Sequence, residues 1–182
     1  MKAILFKRPD DHWKGGGVSV HYISPEALAD SEGTENEVYE LFAQKIAKSR
    51  GFTSYVIRES TQLPPHVVGA AWNRRLPDTA GPNRYFRDAL VWDDAEPSKC
   101  KCDMAKARRI HMDRVRIVRN TALVLKDAEM AQAVEAEDGP AQAKIAIEKQ
   151  ALRDIPQTLD LITDANTPER VKARWPVELP TI

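Results

Sequence analysis

Residues 103–138, DMAKARRIHMDRVRIVRNTALVLKDAEMAQAVEAED, decide the fold. From Met104 to about Glu137 the run contains neither proline nor glycine and is dominated by strong helix formers. Asp103 opens it, and Gly139-Pro140 breaks it, with Pro140 suited to the first turn of a following helix. Ile110, Ile117 and Val124 recur at sevens, flanked by Val118, Leu125 and Ala128. A second helix is expected to about Asp154, carrying Ile145 and Leu152 a heptad apart, with Ile155 closing the stripe and Pro156 ending the helix. Together these predict a helical hairpin in which 141–154 fold back antiparallel along the acidic half of the long helix. At 1.5 Å per residue the two arms would measure about 50 Å and about 20 Å, so the short arm would cover less than half of the long one. Thr167-Pro168-Glu169 then announces a short last helix that stops before Pro176.

Upstream the patterning changes from helical to strand-like. Ile4 and Phe6 alternate with Leu5 and Lys7, and Val18, Val20 and Tyr22 alternate with Ser19 and His21. The triplet Gly15-Gly16-Gly17 lies between the two runs, which predicts a β-hairpin and not a phosphate-binding loop. Residues 34–50 read as a helix with a Thr34/Glu37 capping box, an apolar stripe of Val38, Leu41, Phe42 and Ile46, and a stop at Gly51. Thr53–Arg58 is β-branched and aromatic, a third strand. Residues 60–82 read as a proline-rich loop anchored by Trp72 and Leu76, and 85–92 (YFRDALVW) as a further strand. Ile4, Phe6, Val20, Leu41, Phe42, Val56 and Ile57 are the expected core. The fold class is therefore α+β: a β-β-α-β module over 1–97, then the hairpin and short C-terminal helix over 98–182.

Composition limits what such a protein can do. Its 27 basic and 27 acidic residues cancel, so no global positive field draws it to nucleic acid or anionic lipid. No apolar run approaches the roughly 20 residues of a membrane span, and the first residues lack a signal-peptide core. A cytoplasmic protein is the expectation. The charge is nevertheless segregated: Lys99–Arg119 holds eight basic residues against Asp103 and Asp113, and Asp127–Asp138 holds five acids and no base. This polarity opposes the helix dipole and implies an acidic partner for the basic half. Arg108, Arg109, Arg116 and Arg119 are the candidate partner-binding residues. A nucleic-acid role would rest on the same stretch, but no aromatic residue lies between Trp92 and Trp175 to stack on bases.

Catalytic chemistry finds no support in the residues. The histidines, His12, His21, His66 and His111, lie near no nucleophile motif. Asp10-Asp11 and Asp93-Asp94 read as solvated turns. Cys100, Cys102 and His111 fall one ligand short of a structural zinc set, so no metal and no cofactor are expected. Cys100 and Cys102, flanked by Lys99 and Lys101 in a segment expected to be exposed, are candidates for a disulfide to another chain.

Several stretches in the second half resemble phage and prophage tail-region proteins. They are Arg84-Tyr85-Phe86-Arg87-Asp88-Ala89, residues 103–111, Lys149-Gln150-Ala151-Leu152-Arg153-Asp154-Ile155-Pro156, and Trp175-Pro176. The Lys149–Pro156 stretch is similar to the ending of phage tail assembly chaperones and tail-fibre-assembly proteins, with Lys149-Gln150 standing where those carry an aromatic-Arg pair. The resemblance covers about residues 84–180. It implies a non-enzymatic protein of the host cytoplasm or the virion tail, binding other tail proteins or further copies of itself. Within that role it is either a baseplate or fibre-attachment component or an assembly chaperone.

Overall fold

The computed structural model describes residues 2–10, 17–63, 85–96, 98–161 and 165–181. The chain divides into two compact units, Met1–Asp103 and Met104–Ile182. It is α+β, an antiparallel strand module followed by long helices.

In the first unit, β1 (Lys2–Arg8) is the centre of a three-stranded antiparallel sheet. On one edge is β2 (Gly17–His21) and on the other β3 (Ser54–Glu59), with Ile4 opposite both His21 and Ile57. A central strand covered on both faces must be apolar at consecutive positions, and Ala3 to Phe6 are all buried. Ile4 and Phe6 face α2 (Glu35–Arg50), packing with Val38, Tyr39, Ala43 and Phe52. Ala3 and Leu5 face the other way, onto Val18, Val20, Leu63, Leu90 and Cys100. Each fully buried large side chain of this kind contributes about 1.5–3 kcal/mol of burial free energy.

Local signals fix the ends of α2. Thr34 and Glu37 form the reciprocal capping box, and Gly51, at φ +66°, closes the helix in the left-handed conformation. The expected stripe holds at Val38, Phe42 and Ile46 and fails at Leu41. Leu41 is 66% exposed, and Tyr39 takes its place, fully buried with its hydroxyl donating to the Lys2 carbonyl at 3.0 Å. The helix face turned to the sheet follows positions 38, 39, 42, 43 and 46, which leaves 41 to solvent. A short helix not expected from the sequence, α1 (Pro25–Ala29), precedes α2 and is capped by Ser24.

Of the expected strand 85–92, only the end is a strand. Arg87–Ala89 is a 3-10 turn, and β4 (Leu90–Trp92) pairs antiparallel with β5 (Cys100–Cys102). Asp103 stays with this ribbon through its amide, which donates to the Ala89 carbonyl at 2.8 Å. The unit boundary therefore falls after Asp103, six residues beyond the expected 97/98 division, because β5 has its only described strand partner in the first unit. Gly17 sits at φ +131°, and a Cβ there would lie 2.7 Å from both the Leu90 carbonyl and the Arg8 guanidinium, so the position requires glycine. The Gly15-Gly16 part of the expected turn, the proline-rich loop with Trp72 and Leu76, Asp11, His12 and His66 lie outside the described residues.

In the second unit, α3 (Met104–Glu135) is one unbroken helix, and α4 (Gly139–Thr158) returns antiparallel along it. Lys126 pairs with Glu148 at 2.7 Å and Lys149 with Asp127 at 2.5 Å across the hairpin. Asp138 caps α4 through the Ala141 amide at 2.9 Å. The return arm is longer than expected, 20 residues or about 30 Å, and runs through Pro156 to Thr158. In that last turn Thr158 Oγ1 donates to the Asp154 carbonyl at 3.2 Å and to the Ile155 carbonyl at 3.3 Å. Leu152 and Ile155 of α4 pack around Val115, together with Leu179 and Trp175. After α4 the chain leads to α5 (Pro168–Ala173), capped by Thr167 as expected.

Candidate functional site: the outward face of the long helix

The basic half of α3 is not left bare. Arg108 donates from Nε to the Leu161 carbonyl at 2.7 Å and from Nη2 to the Ala165 carbonyl at 3.2 Å. His111 is fully buried, its Nε2 3.2 Å from the Arg174 carbonyl and its ring edge-on to Trp175 at 5.7 Å. Burial lowers the His111 pKa against the opposing pull of that carbonyl. The C-terminal segment thus lies along the N-terminal half of α3, and Arg108 and His111 meet it through backbone carbonyls. Among the described residues, Arg116 of the four candidate arginines meets a carboxylate, that of Asp113 at 3.1 Å, three residues away on the same exposed surface. Arg119 donates to the Asn120 side-chain oxygen from Nε at 3.2 Å and Nη2 at 2.9 Å. Arg109 is exposed.

With α4 and the C-terminal segment in place, the residues that α3 buries are Ala107, His111, Val115 and Ala133. The sevenfold repeat read as the hairpin seam points elsewhere. Ile117 is 65% exposed, Val124 67% and Leu125 61%, and only Ile110 of that repeat is half-buried. Around a helix of 3.6 residues per turn these positions share one face with Thr121, Ala128 and Ala131, all exposed. Scattered exposed hydrophobics mean little, but here three large apolar side chains are exposed along one helix face. Periodicity detected the strip. It could not tell an inward strip from an outward one.

The other sequence candidates are placed less favourably. Cys100 is buried in the first unit's core, and burial pushes its thiol up to about 12, so the adjacent lysines do not activate it. Cys102 is half-buried, its thiol 3.9 Å from the Asp103 carbonyl. The expected exposed thiol pair is therefore overturned at Cys100. Lys101 is ion-paired with Asp93. Ser19 and His21 stand 3.0 Å apart, a contact not anticipated from sequence. Around His21 lie the rings of Phe6 and Phe52, and Arg50 is near enough to depress its pKa further, which is no setting for a general base. Among the described residues no group of three or more His, Cys, Asp or Glu side chains could hold a metal ion, and no helix is long and apolar enough to cross a membrane.

No protein family, curated protein or solved structure matches the chain.

Proposed function

We propose that this chain is a phage tail-associated protein that acts by binding other proteins, as a structural component of the baseplate or of the fibre attachment. The observation that supports this reading is the outward face of α3, where Ile117, Val124 and Leu125 are exposed in one strip away from the buried Ala107, His111, Val115 and Ala133. Such a strip costs solubility unless a partner covers it. The tail context comes from the resemblance at Lys149–Pro156 and Trp175-Pro176. Leu152, Ile155 and Trp175 in those stretches pack around Val115, so the similar residues are ones that hold the helical tail together.

Mass spectrometry of purified particles, with pull-down of the tagged chain from producing cells, tests the proposal. A structural component appears in particles at a fixed ratio to the other tail proteins. Co-purification with tail proteins from cells, combined with absence from particles, would mean the assembly-chaperone role instead. Recovery of no tail protein in either preparation overturns the reading.

A further inference from the structure

We propose that the outward face of α3 pairs with the same face of a second copy of this chain, antiparallel and about a two-fold axis near Asn120 and Thr121. This deepens the reading above by naming what covers the strip, but it rests on α3 alone and not on a phage-tail origin. A seam running Lys106, Ile110, Asp113, Ile117, Thr121 advances by four, three, four and four residues, and Thr121, Val124, Ala128, Ala131, Glu135 by three, four, three and four. That is heptad spacing interrupted once at the centre by a stutter, one additional four-residue step, the period at which one helix face can follow another.

Charge selects both the occupant and its direction. Through Arg119, α3 carries six basic residues and only Asp113 as an acid; beyond it come Asp127, Glu129 and Glu135 against Lys126 alone. Parallel pairing would oppose the basic half to itself. Antiparallel pairing sets it against the acidic half, and the two-fold axis makes every contact twice. With the axis between Asn120 and Thr121, Ile117 meets the partner's Val124, Ile110 meets the partner's Ala131, and Lys106 meets the partner's Glu135. Arg116 approaches the partner's Asp127 on the flank. Ile117 and Val124 then flank the axis and Lys106 and Glu135 lie at the ends, while Asp113 meets the partner's Ala128 with its carboxylate already paired to Arg116. Small side chains at Ala128 and Ala131 allow the close approach that an alternation of large and small residues permits.

Mass measured on the purified full chain by light scattering across a dilution series tests this. The expected result is twice the monomer mass at high concentration. Ile117→Glu and Val124→Glu, each at a solvent-exposed position, should weaken association by at least about tenfold while leaving the circular dichroism spectrum unchanged. Glu135→Lys should weaken it as well, and the double change Lys106→Glu with Glu135→Lys should restore it. A monomer throughout the series overturns the proposal, whether or not another protein is later found on the strip. A dimer insensitive to both glutamate substitutions also overturns it, as does failure of the charge swap to restore association. Loss of dimerisation together with retained binding to tail proteins would leave the proposed function standing, so the two readings fail separately.

Discussion

Cys100 and Cys102 are one residue apart, yet alternation along β5 gives them different chemistry. The Cys100 side chain points into the core beside Leu5, Val18 and Leu90, where a thiolate has no solvation and the proton is held to about 12. Alkylation of the native protein at neutral pH, read by peptide mass spectrometry, should modify Cys102 well before Cys100. Equal rates would mean that β5 opens readily. His21 offers a second test at the same scale. Burial first, and the Arg50 charge second, lower its pKa from 6.5 to about 4. The folded state therefore favours the neutral ring: its contribution is complete above pH 6.5 and is lost as the pH falls towards 4. The loss amounts to at most about 3–4 kcal/mol, less whatever solvent screens at this partly buried ring. Urea midpoints at pH 7 and pH 4.5 should differ less in His21→Phe than in the parent chain. His111, also lowered, leaves a residual dependence of the same sign. An unchanged difference would show that His21 titrates alike in the folded and unfolded chains.

At the scale of elements, Arg108 joins the longest helix to a segment with little regular structure of its own. A guanidinium offers two donors in a rigid fork, and the carbonyls of Leu161 and Ala165 accept both. Arg108→Ala should cost about 2–4 kcal/mol, since charge-assisted bonds are lost and two carbonyls of buried residues go unpaired. Arg108→Lys should recover less than half of it, because an ammonium cannot span the two. Amide exchange across 165–181 reads the effect directly. It should speed up in the alanine variant, while α2, in the other unit, stays protected. Equal acceleration in both regions would point to global destabilisation and not to a lost anchor. For α2 itself, Leu41→Ala should change stability by less than about 0.5 kcal/mol, as expected of an exposed site, whereas Tyr39→Ala removes a buried ring.

For the molecule as a whole, neutrality and the engagement of Arg108 and Arg119 with their own chain argue against a phosphate-binding surface. A shift assay with random duplex DNA at low ionic strength should show no retained complex at micromolar protein. Tight binding that weakens steeply with added salt would revive the nucleic-acid role for residues 99–119. The two units also differ in how their cores are made. The first buries a strand on both faces between a helix and a strand ribbon. The second has one dominant helix, α3, against which α4 and α5 are laid.

The amino-acid sequence alone determined the elements whose causes are local. The α3 run without breakers, the Thr34/Glu37 box, the Gly51 stop and the Thr167 cap each depend on a few neighbouring residues, and each appears where those residues stand. The Ser24-Pro25-Glu26 signal for α1 was equally local and was legible in the same way as Thr167-Pro168-Glu169. What faces what was decided only by tertiary structure. Nothing near Leu41 says that Tyr39 will take the core, because that follows from where β1 lies and from the Lys2 carbonyl that waits for the hydroxyl. Cys100 is buried by strands distant in sequence, and Arg108 is satisfied by carbonyls more than fifty residues away. The Ile110, Ile117, Val124 repeat has a period that fixes a helix face but carries no direction. Only the register of α4 on α3, set by Ile145, Leu152 and Ile155, turned that face outward and made it the candidate site.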